Sequence, residues 1–164
     1  MSGLFYISYM TTWFECKIKY DMTDEYGKSK SVSEGYLVDA ISFTEAEARV
    51  HKILTDEIPY SFIVSGIRKA KIDEIVFSDL EDIKWYKSRV VYIDVDEKSG
   101  KEKKTGHVIY VAGTDLTEAL SNLKDSQSTL MIEWDIDSIG VTRVLDVFPY
   151  TESEREIANQ EKEQ

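Results

Sequence analysis

Trp13 and Lys17, with Trp85, Lys87 and Arg89, are the residues of this chain best suited to ligand chemistry. An indole face can stack on a base or nucleotide ring, and a cation beside it can pair with phosphate or strengthen the stack. Arg68, Lys69 and Lys71, taken with Lys84, Lys87 and Arg89, could form a basic groove in an otherwise acidic protein. Such a groove would hold phosphate oxygens. The competing reading is plain packing. The tryptophan face would then cover the other half of the molecule or a partner subunit, and the strand cations would pair with nearby acids in solvent. The run Lys98–Lys104 reads as a hairpin tip, charged for solubility.

Other chemistry is thinner. Glu133, Asp135 and Asp137 alternate with Trp134 and Ile136. Three carboxylates on one strand face could take a hard cation, but such rows more often face water or pair with Lys and Arg. Asp94 and Asp96 form a shorter row of the same kind. His51 and His107 are isolated, and a metal centre needs more ligands than one histidine. Cys16 falls on an inward strand position where the matching stretch has Ser88. That suits a small buried residue, because a reactive thiolate needs an electropositive, partly exposed setting. No phosphate-loop, dinucleotide or nucleophile-elbow motif occurs in the sequence. No catalytic residue, metal or cofactor is expected.

A net charge of −11 disfavours non-specific binding to nucleic acid or to an anionic membrane. Apolar residues make up 42%, enough for a real core. The single cysteine leaves no internal disulfide and suits a reducing compartment. Leu4–Met10 is apolar, too short to span a bilayer, and lacks the basic flank of a signal peptide. It is expected as an edge strand or docked arm over residues 1–12, the alternative being a frayed end. With no stretch of transmembrane length, the expected protein is soluble, cytoplasmic and free of membrane.

The elements that would carry these residues come twice. Trp13–Tyr20 alternates, with Phe14, Cys16, Ile18 and Tyr20 on one face, which is the period of a half-buried strand. Asp21–Ser31 is polar and expected as a loop, with Val32–Ile41 as the returning strand. Ser42-Phe43-Thr44-Glu45 forms a capping box, and Phe43, Ala46, Val50, Ile53 and Leu54 follow at helical spacing. Pro59 marks the helix end. Phe62–Phe77 is extended again, with Gly66 placed for a bulge and Ile72, Ile75 and Val76 as a further strand or a bent continuation. Trp85–Tyr92 repeats the first strand, Asp96–Gly106 the loop, and His107–Gly113 the return. Asp115-Leu116-Thr117-Glu118 repeats the capping box, followed by the stripe Leu116, Ala119, Leu120 and Leu123. Trp134 and Ile136 match Phe62 and Val64, and Arg143–Phe148 matches Lys71–Val76.

The expected fold is therefore α+β. A strand-strand-helix-strand unit is tandemly duplicated over 13–78 and 85–150, with antiparallel sheets packed about a pseudo-twofold axis. Each unit has too few strands to stand alone. Residues 151–164 are expected as a polar acidic tail.

Trp13–Lys17, Tyr36–Arg49 and Asp146–Tyr150 together resemble a family of domains of unknown function. Its members are of about this length and occur in Bacteroidetes-type bacteria and their phages. The resemblance covers Trp13 to Tyr150. It implies a cytoplasmic bacterial or bacteriophage origin and transfers no functional residue. The function expected from the residues is non-enzymatic binding, as a protein-interaction or assembly module with a protein partner or a homo-oligomer. The alternatives are a nucleotide-like ligand held or sequestered at Trp13, Lys17, Arg68, Lys69, Trp85, Lys87 and Arg89, and single-stranded nucleic acid at the same residues, which the charge disfavours.

Overall fold

Alternating apolar residues become two long hairpins, each covered on one face by a capped helix. The computed structural model describes residues 12–151. The arm expected over residues 1–12, apart from Thr12, and the tail beyond Thr151 lie outside the described residues. The described elements are β1 (Thr12–Thr23), β2 (Ser29–Ala40), α1 (Phe43–Glu57), β3 (Phe62–Ala70), β4 (Glu74–Val76), β5 (Lys84–Val95), β6 (Glu102–Gly113), α2 (Leu116–Gln127), β7 (Glu133–Val141) and β8 (Val144–Phe148). They make the α+β fold, and five elements recur in the same order.

In the first sheet β1 pairs antiparallel with β2, Cys16 opposite Tyr36. The hairpin is longer than expected. Asp21–Ser31 is polar because it is exposed, and its backbone stays in the ladder except at residues 24–28. There the Asp24 carboxylate accepts from the Tyr26 and Lys28 N–H groups, and Gly27 takes φ +77° to close the turn. β3 lies on the other side of β1, with Cys16 opposite Ile67. The register slips between Lys17 and Ile18, leaving Ser65 as the extra residue beside Gly66. Helix α1 starts as the capping box requires. Ser42 Oγ accepts from the Glu45 N–H at 3.1 Å, and Glu45 returns to accept from Ile41 N–H, one residue before the cap. Ala46, Val50 and Leu54 are buried against Phe14, Cys16, Ile18, Tyr36, Val38 and Ala40. Phe43, expected on the buried stripe, is half exposed at the first turn and touches Phe14 edge-on.

The second sheet repeats this arrangement. β5 pairs with β6, Ser88 opposite Ile109, and with β7, where Asp137 is the extra residue. Asp115 caps α2, accepting from Glu118 N–H at 2.8 Å. Ala119 and Leu123 pack on Tyr86, Val90, Ile109 and Val111.

Of the two readings of Ile72–Val76 and its match Arg143–Phe148, the further strand is the one that forms, and its pairing changes the topology. The orders are β3-β1-β2-β8 and β4-β6-β5-β7. β4 follows the first repeat yet pairs with β6, and β8 ends the second repeat yet pairs with β2. Both pairings are parallel, so the sheets are mixed where antiparallel sheets were expected. An antiparallel neighbour follows from a tight hairpin. A strand arriving from the other repeat has no such constraint. Among the described residues the compact units are consequently 71–143, which is continuous, and 12–70 completed by 144–151. They are offset from the repeats by one exchanged strand.

Candidate functional site

The residues expected to bind a ligand lie on long strands, and the pleat decides which can act together. On β1, Phe14, Cys16 and Ile18 are buried under α1, which leaves half-buried Trp13 and exposed Lys17 on the opposite face. Arg68 is directly across from Glu15 and binds it at 2.8 Å, so it shares that outer face. Lys69 is the next residue and points the other way. It is opposite Phe14, and its ammonium lies 5.9 Å from the Phe43 ring centroid. Arg68 and Lys69 therefore cannot line one groove of this sheet.

In the second unit Trp85, Lys87 and Arg89 share the outer face of β5. Trp85 is only 2% exposed, so its ring offers no open stacking surface. It meets Phe77 edge-on at 5.6 Å, and its carbonyl accepts from both the N–H and the hydroxyl of Thr142. Its indole N–H finds no partner among the described residues. Lys87 is exposed. Arg89 Nε lies 3.3 Å from Asp137, and its guanidinium crosses Gly106, where an added Cβ would come within 2.7 Å of Nη2. Both arginines thus already face a carboxylate. A phosphate would compete with Glu15, which accepts a charge-assisted hydrogen bond from Arg68, and with Asp137, which forms an exposed ion pair with Arg89. Asp137 serves as a counter-ion in its row of acids. No group of His, Cys, Asp and Glu among the described residues is arranged to hold a metal.

Cys16 is fully buried. Burial first, then the charges of Glu15 and Glu47, pushes its thiol up to about 12, which leaves no thiolate for nucleophilic work.

The polar groups that do converge lie at the helix C-terminal end of each unit, and they differ between the repeats. In the first unit Tyr20 and Tyr36 both donate to Glu34, one to each carboxylate oxygen, at 2.6 Å. Tyr20 stacks on Tyr60, and Tyr36 on Phe148 of β8. The bond to Glu34, then burial, pushes the Tyr20 phenol up to about 12. Burial and then the same carboxylate push Tyr36 higher. Glu57 is also raised, by burial and then by Asp146 and Asp56.

In the second unit His107 stands where Glu34 stands in the first, opposite Val90 as Glu34 is opposite Ile18. It stacks on Tyr92 at 4.2 Å and lies 3.9 Å from Asp73, whose carboxylate accepts from Val108 N–H at 2.7 Å. Tyr92 donates to the buried Gln127, which donates in turn to Glu74 and Ser126. Burial, then Glu74 and Asp73, raises the Tyr92 phenol.

Reading by alternation placed Tyr20 on the inward face, where it does pack against the core, but passed over its hydroxyl's partner Glu34 and over Gln127. The signal was available once the repeats are aligned, since one register position carries an acid in one copy and a histidine in the other. These networks tie strands and helix together. Asp73, just before the exchanged β4, accepts from Val108 of β6, and Tyr36 stacks on Phe148 of the exchanged β8.

No helix among the described residues is long and apolar enough to cross a membrane. No curated protein matches the chain. A family model described as a domain of unknown function, DUF4494, matches residues 12–150.

Proposed function

We propose that this chain, which belongs to the DUF4494 family of domains of unknown function, is a non-enzymatic protein-interaction or assembly module of a bacterial or phage system, acting in the cytoplasm. One observation supports the reading most: each four-strand sheet is finished by a strand from the other repeat. A fold built by donating and accepting strands has, in its own architecture, the means of protein recognition by strand addition. The ligand reading has less support, because Arg68 and Arg89 are occupied by acids and Trp85 is buried. It retains Trp13 and Lys17, which share an outer face of β1.

Native mass spectrometry of gently purified protein tests the proposal. Integer multiples of the chain, or a defined protein partner, are the expected result. A bound mass of a few hundred daltons, lost with Trp13→Ala, would replace the proposal with nucleotide-like binding. Association with a single strand of DNA that weakens steeply with salt would replace it with nucleic-acid binding.

A further inference from the structure

The sheet of residues 12–70 contains a strand-acceptor slot, and its occupant arrives from a distance. The free edge of β2 at Tyr36, Leu37 and Val38 is apolar on both faces, and all three side chains are buried. That is the composition of a central strand, not of an exposed edge. β8 fills it in parallel, Leu37 opposite Val147 and Val38 opposite Phe148. The slot holds the segment through groups of its own unit. Tyr36 stacks on Phe148 at 5.7 Å, Arg49 donates to the Phe148 carbonyl, and the Arg49 guanidinium lies 4.2 Å over the Tyr150 ring. None of these contacts depends on which copy of the chain supplies the strand.

The segment reaches the slot from the continuous unit 71–143, which already has four strands of its own. Only Thr142 and Arg143 separate β7 from β8, and Thr142 is bound twice to the Trp85 carbonyl. Short connections of this kind favour exchange between copies. The long outer edges are less suited to association. β3 is broken by the Ser65 bulge and carries Arg68 and Lys69. β7 is broken at Asp137 and carries Glu133 and Asp135. Bulges and charges of this kind keep edges from pairing.

We propose that the β2 slot accepts residues 144–150 of a second copy of this chain, so that the protein assembles by exchange of β8. The inference rests on the assembly reading and names its occupant. The test uses full-length chains in which Cys16→Ser removes the native thiol. One tagged copy carries Leu37→Cys and the other Val147→Cys, which are register partners at strand spacing and within disulfide reach. After mixing and mild oxidation, the expected product is a disulfide-linked pair of the two differently tagged chains. A chain carrying both cysteines is the control for register. If that control closes only on itself and the mixed copies never cross-link, β8 stays in its own chain and the proposal fails.

A second measurement avoids substitutions. Unlabelled and isotope-labelled wild-type chains are mixed and weighed intact, with about half of the dimers expected at the mixed mass after full exchange. Wild-type dimers without the cysteine cross-link would overturn strand exchange while leaving assembly in place. A chain that is monomeric at every concentration and captures no protein partner would overturn both.

Discussion

Single side chains here act mainly through what they are denied. Glu57 is the last residue of α1 and follows Asp56. The last turn carries no base, and both acids face the negative end of the helix dipole. Burial, Asp146 and Asp56 raise Glu57, so its protonated form is favoured in the folded state. A raised folded-state value means stability that is present at low pH and lost as pH rises through it. Glu57→Gln should therefore stabilise the protein at neutral pH, by about 0.3 kcal/mol and no more than about 1 because the side chain is exposed. The gain should fade as pH falls through the carboxylate range, and thermal melts of both proteins across pH would show it. Tyr36 is the opposite case, since its buried hydroxyl bonds a carboxylate at 2.6 Å. Tyr36→Phe should cost about 1.5–3 kcal/mol in urea unfolding. Tyr20→Phe should cost less, because Tyr20 is half-buried and water can replace its bond to Glu34. Equal costs would mean that burial does not set the difference between the two bonds.

At the scale of elements, the helices sit where caps and close approaches place them. Ser42 and Asp115 act alike, and replacing either with alanine should cost about 1 kcal/mol, within a usual range of about 0.5–2. Gly113 has a different reason to be small. A Cβ there would come within 2.6 Å of the Ala119 backbone nitrogen and 2.8 Å of its Cα. The contact is with helix backbone, so no flexible side chain can swing away. Gly113→Ala should push α2 from the sheet and cost about 1–3 kcal/mol in denaturant unfolding. Gly106→Ala should cost less, because its neighbour is the mobile end of Arg89. Matching losses at the two glycines would contradict this account. The hairpin strands, the capped helices and a bulge beside Gly66 were legible in the sequence, because alternation, capping boxes and glycine are local signals. The hairpin length was less so. Polarity over Asp21–Ser31 reports exposure, and exposed residues can still be extended.

For the whole molecule the exchanged strands matter most. Residues 71–143 hold a full sheet and its helix in one continuous segment, whereas 12–70 lacks its fourth strand until 144–148 is supplied. A fragment spanning 71–143 should unfold cooperatively on its own. A fragment spanning 12–70 should not, and a peptide of residues 144–151 should restore its transition in a circular-dichroism melt. A cooperative 12–70 fragment without the peptide would show that β8 is dispensable to that unit. The same exchange explains why the candidate site was only partly legible. Trp13, Lys17, Arg68 and Lys69 could be named from residue type, yet neighbours in a strand point to opposite faces, and only pairing shows that Glu15 and Asp137 occupy the two arginines. By itself the sequence determined the duplication, the α+β class, the caps and the inward face of β1, because each is written in periodicity and spacing. Only the tertiary structure decided that β4 and β8 change places, that their pairing is parallel, and that Glu34 and His107 hold equivalent positions in different networks. Strand partnership is a contact between segments far apart in the chain, and no local pattern of residues encodes which edge a strand will join.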